Sequence, residues 1–129
     1  MTSPSATPER YPYQNEPMWS TSEKAIARRA FDAALKRELH EVMQEAKKMA
    51  SQINEPDDLW DLEQYLTERR KDINRKYDPR GSRLKDVLGR LLYENRLGED
   101  DLRGLREDKL KLIRSFAKFL TEDAARSAF

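Results

Sequence analysis

Apolar residues recur at helical spacing along most of this chain. From Ser20 to Asn54 the sequence contains no glycine or proline, and its apolar residues follow one another at steps of three or four: Phe31, Leu35, Leu39, Val42, Ala46, Met49 and Ile53. Such steps place side chains on one face of an α-helix. A helix of about 30 residues spans about 45 Å, which exceeds the width of a domain this small. Part of the apolar face therefore needs a partner outside its own globule.

Polar residues and prolines mark where the long helices begin and end. Ser20 and Glu23 have the spacing of a capping box, in which each side chain hydrogen-bonds a backbone amide of the first turn. The first helix should begin there. Pro56 should start a second helix, because proline is tolerated in the first helical turn. This second helix should end near Tyr77, because Pro79 disfavours helical geometry at the residue before it.

The later helices are predicted in the same way. The second helix places these residues on one side: Leu59, Leu62, Leu66, Ile73 and Tyr77. We expect Ser82 to cap a third helix that Gly98 ends, with an apolar face formed by Leu84, Val87, Leu88, Leu91 and Leu92. A last helix carries Leu110, Ile113, Phe116, Ala117 and Leu120 on one side. No stretch alternates long enough to indicate a strand. The predicted fold class is all-α, with two long helices forming an extended dimerisation stem and a small helical head.

Composition divides the chain into three parts. Four of the six prolines lie in the first seventeen residues, among serine, threonine, asparagine and glutamine. Such a segment cannot bury enough apolar surface to offset the entropy of ordering. We therefore predict a flexible leader at residues 1–18, a helical domain at residues 19–120 and a C-terminal tail at residues 121–129.

Overall composition limits the classes of protein to which the chain can belong. With 38% charged and 37% hydrophobic residues, it has little apolar material for a thick core, which suits an elongated or self-associating helical protein. A net charge of +1 gives no general attraction to nucleic acid or to anionic membranes. The absence of cysteine excludes disulfides and thiol nucleophiles. No apolar run approaches the roughly 18 residues of a membrane span, so we expect a soluble, cytoplasmic protein.

Candidate catalytic and metal-binding groups are few. His40 is the single histidine, and without a second imidazole or a thiolate a metal site would need carboxylates alone. The glycines at 81, 89, 98 and 104 match neither a phosphate-binding loop nor a dinucleotide fingerprint. The carboxylates at 57, 58, 61 and 63 suit the positive end of a helix dipole. We therefore predict no enzymatic activity, no metal and no cofactor.

Charge is divided unequally along the second helix. Residues 55–68 carry six acidic and no basic residues, whereas residues 69–90 carry nine basic and three acidic residues. Two antiparallel copies would bring each acidic half against a basic half, which predicts a twofold homodimer. Leu59, Leu62 and Leu66 would supply most of its affinity. The alternative is that the basic stretch binds nucleic acid, which salt-sensitive retention on DNA or RNA would indicate.

Trp60 stands among the carboxylates of this helix. It lies beside the apolar face of Leu59 and Leu62, and Glu63 and Gln64 follow it one turn later. A tryptophan in such a place is either part of a core or a contact residue of an interface.

Several short motifs resemble the fluorescence recovery protein family of cyanobacteria. They are MWS at 18–20, KREL at 36–39, ASQI at 50–53, DDLW at 57–60 and KYDPR at 76–80. The resemblance covers about residues 18–119, and the spacing between DDLW and KYD is its most specific part. It implies an all-helical, dimeric, non-enzymatic protein that binds photoactivated orange carotenoid protein and accelerates its return to the resting orange form.

The resemblance also implies roles for individual residues. Trp60 and Arg70 match residues of the family's functional surface, and Leu59 matches a leucine of its dimer contact. Four further partner-binding positions depart from the family pattern: Glu63 and Gln64 replace histidine and aspartate, Asp86 replaces phenylalanine, and Leu112 replaces lysine. These departures leave a second interpretation open, a helical adaptor of the same fold with a different protein partner.

Overall fold

The protein is all-α, and the computed structural model describes residues 18–127. The four helices are α1 (Thr21–Ser51), α2 (Pro56–Lys76), α3 (Leu84–Tyr93) and α4 (Glu107–Ser127). Short 3-10 turns precede α3, at Gly81–Arg83, and α4, at Glu99–Leu102. Residues 18–127 contain no strand, so the predicted all-α class is confirmed, whereas the role of the long helices in dimerisation stays a prediction. The predicted leader lies outside the described residues except for Met18.

The start of α1 has the predicted capping box. The backbone N–H of Glu23 donates to the Ser20 hydroxyl at 3.1 Å, and the Ser20 N–H donates to the Glu23 carboxylate at 3.0 Å. The same carboxylate accepts the Arg106 N–H at 3.0 Å and lies 3.2 Å from the buried Lys109 ammonium. Glu23 therefore caps one helix and also fixes the start of α4 against it. These hydrogen bonds, led by that from the Ser20 amide, lower the pKa of Glu23 to about 2.

α1 and α2 form an antiparallel hairpin, which we call the stem. Only residues 52–55 separate the two helices. Asp58 closes this turn by accepting the backbone N–H groups of Asn54 and Glu55, each at 2.9 Å. Farther along the hairpin, Glu38 of α1 contacts Arg69 of α2 at 2.6 Å. The helices are thus fastened at the turn and again where α2 approaches its end.

The first half of α1 packs with α3 and α4 to form the head. Its small and aromatic residues Ala27, Ala30, Phe31 and Ala34 are buried in the same core as Leu88, Leu91, Leu102 and Ile113. Tyr77, from the end of α2, meets the Phe31 ring edge-on at a centroid distance of 5.3 Å. The first helix therefore belongs to both parts of the molecule, because its first half builds the head core and its second half builds the stem.

Two predicted helix boundaries were wrong. Ser82 does not cap α3; it lies inside a 3-10 turn, and α3 begins at Leu84 without a side-chain cap. Gly98 does not end α3, because Asn95 adopts a left-handed conformation with φ of 61° just after Tyr93. The Arg96 amide then bonds back to the Leu91 carbonyl at 2.8 Å, closing the helix in a Schellman pattern.

The last helix is longer than the apolar pattern predicted. α4 continues through Ser127, so residues 121–127 of the predicted tail are helical. Within that extension every side chain is exposed. The division of the chain into a leader, a domain and a tail remains a prediction.

Candidate protein-binding surface

The stem exposes a set of large apolar side chains. Five of them, from both helices, are exposed: Leu39, Met43, Leu59, Trp60 and Leu66. The sequence analysis assigned Leu59, Leu62 and Leu66 to a dimer interface, and within the protomer Leu62 is half-buried while the other two are exposed. Single exposed apolar residues are common on protein surfaces, but a group of them on one hairpin is typical of a binding surface.

A groove between the two stem helices collects several of these residues. Its volume is about 680 Å³, and its walls include Leu35, Leu39, Leu66 and Ile73. Arg70 also lines it. Arg70 forms no hydrogen bond or ion pair with another side chain in residues 18–127, so its guanidinium is available to a partner. The groove thus combines apolar walls with one free cation.

Trp60 does not belong to the protomer core. Its side chain is 63% exposed, so the interpretation of Trp60 as a core residue of the protomer is wrong, and its role as a contact residue stays a prediction. Glu63 and Gln64 are exposed beside it, and each hydrogen-bonds along the helix, to Thr67 at 3.1 Å and to Glu68 at 3.2 Å. Within the described part of the chain, no acidic residue between 55 and 68 forms an ion pair.

The six predicted partner-binding residues do not form one cluster. Trp60, Glu63 and Gln64 share one region of α2, and Arg70 lies ten residues beyond Trp60, or about 15 Å along the helix. Asp86 lies in the head on α3, where Lys85 reaches its carboxylate at 3.2 Å. Leu112 is half-buried on α4. The stem positions and the head positions therefore occupy different elements.

A buried carboxylate fastens the base of this surface. Glu38 is 0% exposed and accepts hydrogen bonds from Arg69 at 2.6 Å, Lys76 at 2.8 Å and the Tyr77 hydroxyl at 2.8 Å. Arg96, from the segment after α3, lies 3.2 Å away. Burial alone would raise the pKa of Glu38, but the hydrogen bonds from Lys76, Tyr77 and Arg69 outweigh it and lower the pKa.

We call Glu38, Arg69, Lys76, Tyr77 and Arg96 the Glu38 cluster. Burial and the Glu38 carboxylate together raise the pKa of the Tyr77 phenol, so its hydroxyl remains a donor. The sequence analysis did not single out Glu38, because it predicts the first helix from its apolar positions alone. The available clue was its place one turn after Ala34, on the face that carries Ala27, Ala30 and Ala34.

The Glu38 cluster uses some of the cations of the basic stretch at 69–90 in internal ion pairs. Lys76 is buried between Glu38 and Glu94, and Arg69 is held by Glu38 and Asp72. Arg80 is engaged by Asp78, whose pKa falls to about 2 because of the Arg80 side chain. Several of the nine cations thus stabilise the fold, and the stretch does not form the continuous basic strip that a phosphate backbone requires.

The described residues contain neither a metal-binding cluster nor a membrane-spanning helix. Between residues 18 and 127, no group of three or more histidine and acidic side chains is arranged to hold a metal ion. None of the four helices is long and apolar enough to cross a membrane. The exposed apolar side chains of the stem are therefore the candidate binding surface.

Comparison with known proteins identifies what the chain resembles. A model of the family described as photoprotection regulator fluorescence recovery protein matches residues 19–117. The fluorescence recovery protein of Synechocystis sp. PCC 6803 is 36% identical over 103 residues, which are 80% of this chain and 94% of that protein. The solved structure of the Fremyella diplosiphon protein is 37% identical with a TM-score of 0.75, over 78% of this chain and 99% of that one. The Synechocystis structure gives 36% identity and a TM-score of 0.74 over the same shares.

Proposed function

Since the chain belongs to the fluorescence recovery protein family, whose members regulate photoprotection and are not enzymes, we propose that it is a dimeric regulator of orange carotenoid protein. It binds the photoactivated form in the cytoplasm and accelerates its return to the resting orange form. Binding energy, and no chemical step, drives this change, because a ligand shifts a conformational equilibrium by its difference in affinity for the two states.

The observation that carries this proposal is the exposed apolar surface of the stem. Trp60 is 63% exposed and Leu59 is 49% exposed at neighbouring positions of α2. Full burial of a large apolar side chain contributes about 1.5–3 kcal/mol, and a free monomer does not obtain this contribution from side chains that stay in water. A second copy would cover Leu59, Leu62 and Leu66, and the regulated protein would cover Trp60.

The charges around these residues suit both contacts. The acidic residues between 55 and 68 have no cationic partner within the described protomer. In an antiparallel dimer they would face the basic end of the other α2, where Arg70 has no ion pair. Because exposed pairs contribute only about 0–1 kcal/mol each, they would set the register while the leucines supply the affinity.

The proposal assigns partner contacts to both parts of the molecule. On the stem these are Trp60, Glu63, Gln64 and Arg70, of which Trp60 is the anchor. On the head, Asp86 and Leu112 would make secondary contacts. Since Asp86 already pairs with Lys85 and Leu112 is half-buried, we expect each to contribute less than Trp60 does.

The test is the decay of the red-shifted carotenoid absorbance in the dark, with and without the protein. We expect acceleration by the wild-type chain. Trp60→Ala should weaken binding by about 2 kcal/mol, the usual scale for a desolvated aromatic anchor, and should keep the helical content. Phe119→Ala is the matched control, because Phe119 is also a half-exposed aromatic residue but lies on α4, away from the stem.

A second candidate function is that of an adaptor for a different protein partner. The observation in its favour is the pair Glu63 and Gln64, which changes the charge beside Trp60 relative to the family pattern. If the wild-type chain gives no acceleration at large molar excess, the carotenoid-protein function is rejected and the adaptor is favoured. If Trp60→Ala accelerates as well as the wild type, the function stands but Trp60 is not its anchor.

A further inference from the structure

A cleft in the head lies apart from the stem surface. It has a volume of about 340 Å³ and is formed where the end of α2 meets α3 and α4. Three arginines from successive elements line it, Arg75 from α2, Arg83 from the 3-10 turn and Arg90 from α3. Val87 and Phe116 supply its apolar surface. We call it the arginine cleft.

The three guanidinium groups retain donor capacity. Each guanidinium forms a long ion pair with a carboxylate, at 3.5 Å for Arg75, 3.6 Å for Arg83 and 3.8 Å for Arg90. Their side chains are 77%, 53% and 45% exposed, respectively. A well-formed guanidinium–carboxylate pair is bidentate, at about 2.7–2.9 Å. None of the three is therefore saturated by the protein.

The carboxylates of the cleft, in contrast, are already neutralised. Asp72 accepts a hydrogen bond from Arg69 at 3.0 Å, and Asp86 lies 3.2 Å from the Lys85 ammonium. Asp78 is held by Arg80. Each of these carboxylates thus has a cation from outside the cleft, so the cleft presents an excess of positive charge to solvent.

The apolar side of the cleft is built by a close helix crossing. Gly89 lets Phe116 approach α3 so closely that an added Cβ would lie 2.9 Å from the Phe116 side chain. Phe116 stacks on Phe119 with ring centroids 6.0 Å apart, and Phe119 is half-exposed. An aromatic shelf therefore continues from the cleft along α4. A ligand that matches the cleft carries anionic groups close to an apolar group.

From this arrangement we infer that the arginine cleft binds an acidic protein segment that carries apolar side chains between its carboxylates. Carboxylates in such a segment would form bidentate pairs with Arg83 and Arg90. Its apolar side chains would lie on Val87 and Phe116. A nucleic acid fits less well, because a phosphate backbone needs an extended basic strip, whereas this cleft is small and has Val87 and Phe116 beside its arginines.

Asp86, to which the proposed function assigns a secondary contact, also lines this cleft, so a defined peptide tests the inference without carotenoid protein. The probe is a fluorescein-labelled octapeptide of alternating glutamate and leucine, and its fluorescence anisotropy reports binding to the full chain. Two companion peptides replace every glutamate by glutamine or every leucine by serine. We expect the acidic, apolar peptide to bind most tightly, and we expect added salt to weaken it because exposed ionic contacts are screened.

Variants assign the binding to the cleft. The double variant Arg83→Gln, Arg90→Gln should weaken binding at least about fivefold, the scale of two exposed ionic contacts. The matched control is Arg28→Gln, Arg103→Gln, which removes two exposed arginines outside the cleft and should change nothing. Trp60→Ala should also bind the peptide normally, which separates this site from the stem.

Four results would overturn the inference. They are no binding of the acidic peptide, equal binding of the glutamine peptide, equal loss in the control double variant, and tighter binding of a labelled single-stranded oligothymidine than of the peptide. The last result would assign the cleft to nucleic acid. Circular dichroism of both double variants establishes that each is folded, which the exposure of all four arginines leads us to expect.

Discussion

At the scale of single residues, charge is used inside this protein as well as on its surface. Glu38 and Glu23 are both buried, and each meets a buried lysine, Lys76 and Lys109, respectively. Removing one partner of a buried pair is costly because the other charge loses its compensation. The two glutamates therefore have structural roles that their polarity alone would not suggest.

Glu38→Gln should destabilise the protein. The change removes the buried carboxylate that Lys76 and Arg69 share and leaves them only Glu94 and Asp72, so we expect the free energy of unfolding to fall by about 3 kcal/mol. Urea unfolding at fixed protein concentration measures this. Asp32→Asn is the control, because Asp32 forms an exposed pair with Arg28 and should cost less than about 0.5 kcal/mol. Equal losses in the two variants would contradict a special role for Glu38.

Glu23 should make stability depend on pH in the acidic range. Its pKa is about 2 in the folded protein, against 4.5 for an unperturbed glutamate. A lowered pKa gives stability that is fully present above about pH 4.5 and is lost as pH falls towards 2. Glu23→Gln should therefore have a lower melting temperature at pH 7 and a smaller decrease between pH 4.5 and 2. If the melting temperatures of both proteins fell by the same amount over that pH range, this role of Glu23 would be refuted.

At the scale of elements, the sequence predicted what local chemistry determines. The capping box at Ser20 and the break before Pro56 were predicted correctly, because both depend on neighbouring residues. The end of α3 was not, because glycine was taken as the stop and Asn95 adopts the left-handed conformation instead. Leu39 and Leu66 follow the apolar pattern yet are exposed, so periodicity predicts an apolar face but not what covers it.

The crossing of α3 and α4 depends on Gly89. A Cβ at this position would meet Phe116 at 2.9 Å and the Ile113 carbonyl at 3.0 Å, so the helices would have to separate. Gly89→Ala should lower the free energy of unfolding by about 1–3 kcal/mol despite the better helix propensity of alanine.

Gly81→Ala is the matched control for this substitution, because nothing lies within 4 Å of a Cβ at Gly81. Thermal unfolding of both variants makes the comparison. A melting temperature for Gly89→Ala equal to or above that of the wild type would show that the helices absorb the methyl group without strain.

At the scale of the whole molecule, exposed apolar side chains are concentrated on the stem. Between residues 18 and 127, the stem holds most of the exposed large apolar side chains, including Leu59, Trp60 and Leu66, whereas Phe119 is the one on α4. This imbalance matches the expectation from composition that the chain has too little apolar material for a thick core of its own. The residues proposed to act in binding are therefore those that contribute least to the protomer's own core.

Leu59→Glu should dissociate the proposed dimer. It would place two like charges near a twofold axis in an apolar contact, costing at least about 3 kcal/mol, or about a hundredfold in dissociation constant. Sedimentation velocity of both proteins measures this. Ser115→Glu adds the same charge on the head, where Ser115 is exposed, and should leave the dimer intact.

Two outcomes would contradict this prediction at different levels. A wild-type chain that sediments as a monomer at micromolar concentration would reject the dimer. A Leu59→Glu variant that stays dimeric would move the interface to another part of the stem.

The Glu38 cluster also has a consequence for how the molecule opens. The Glu38 carboxylate joins the middle of α1, the end of α2 and the segment after α3. If any of these separated from the others, a buried charge would lose its partner. We therefore expect their amide protons to exchange with solvent as one cooperative unit. The hairpin turn is held chiefly by Asp58, so we expect its amide protons to exchange separately and faster than those at the base of the stem.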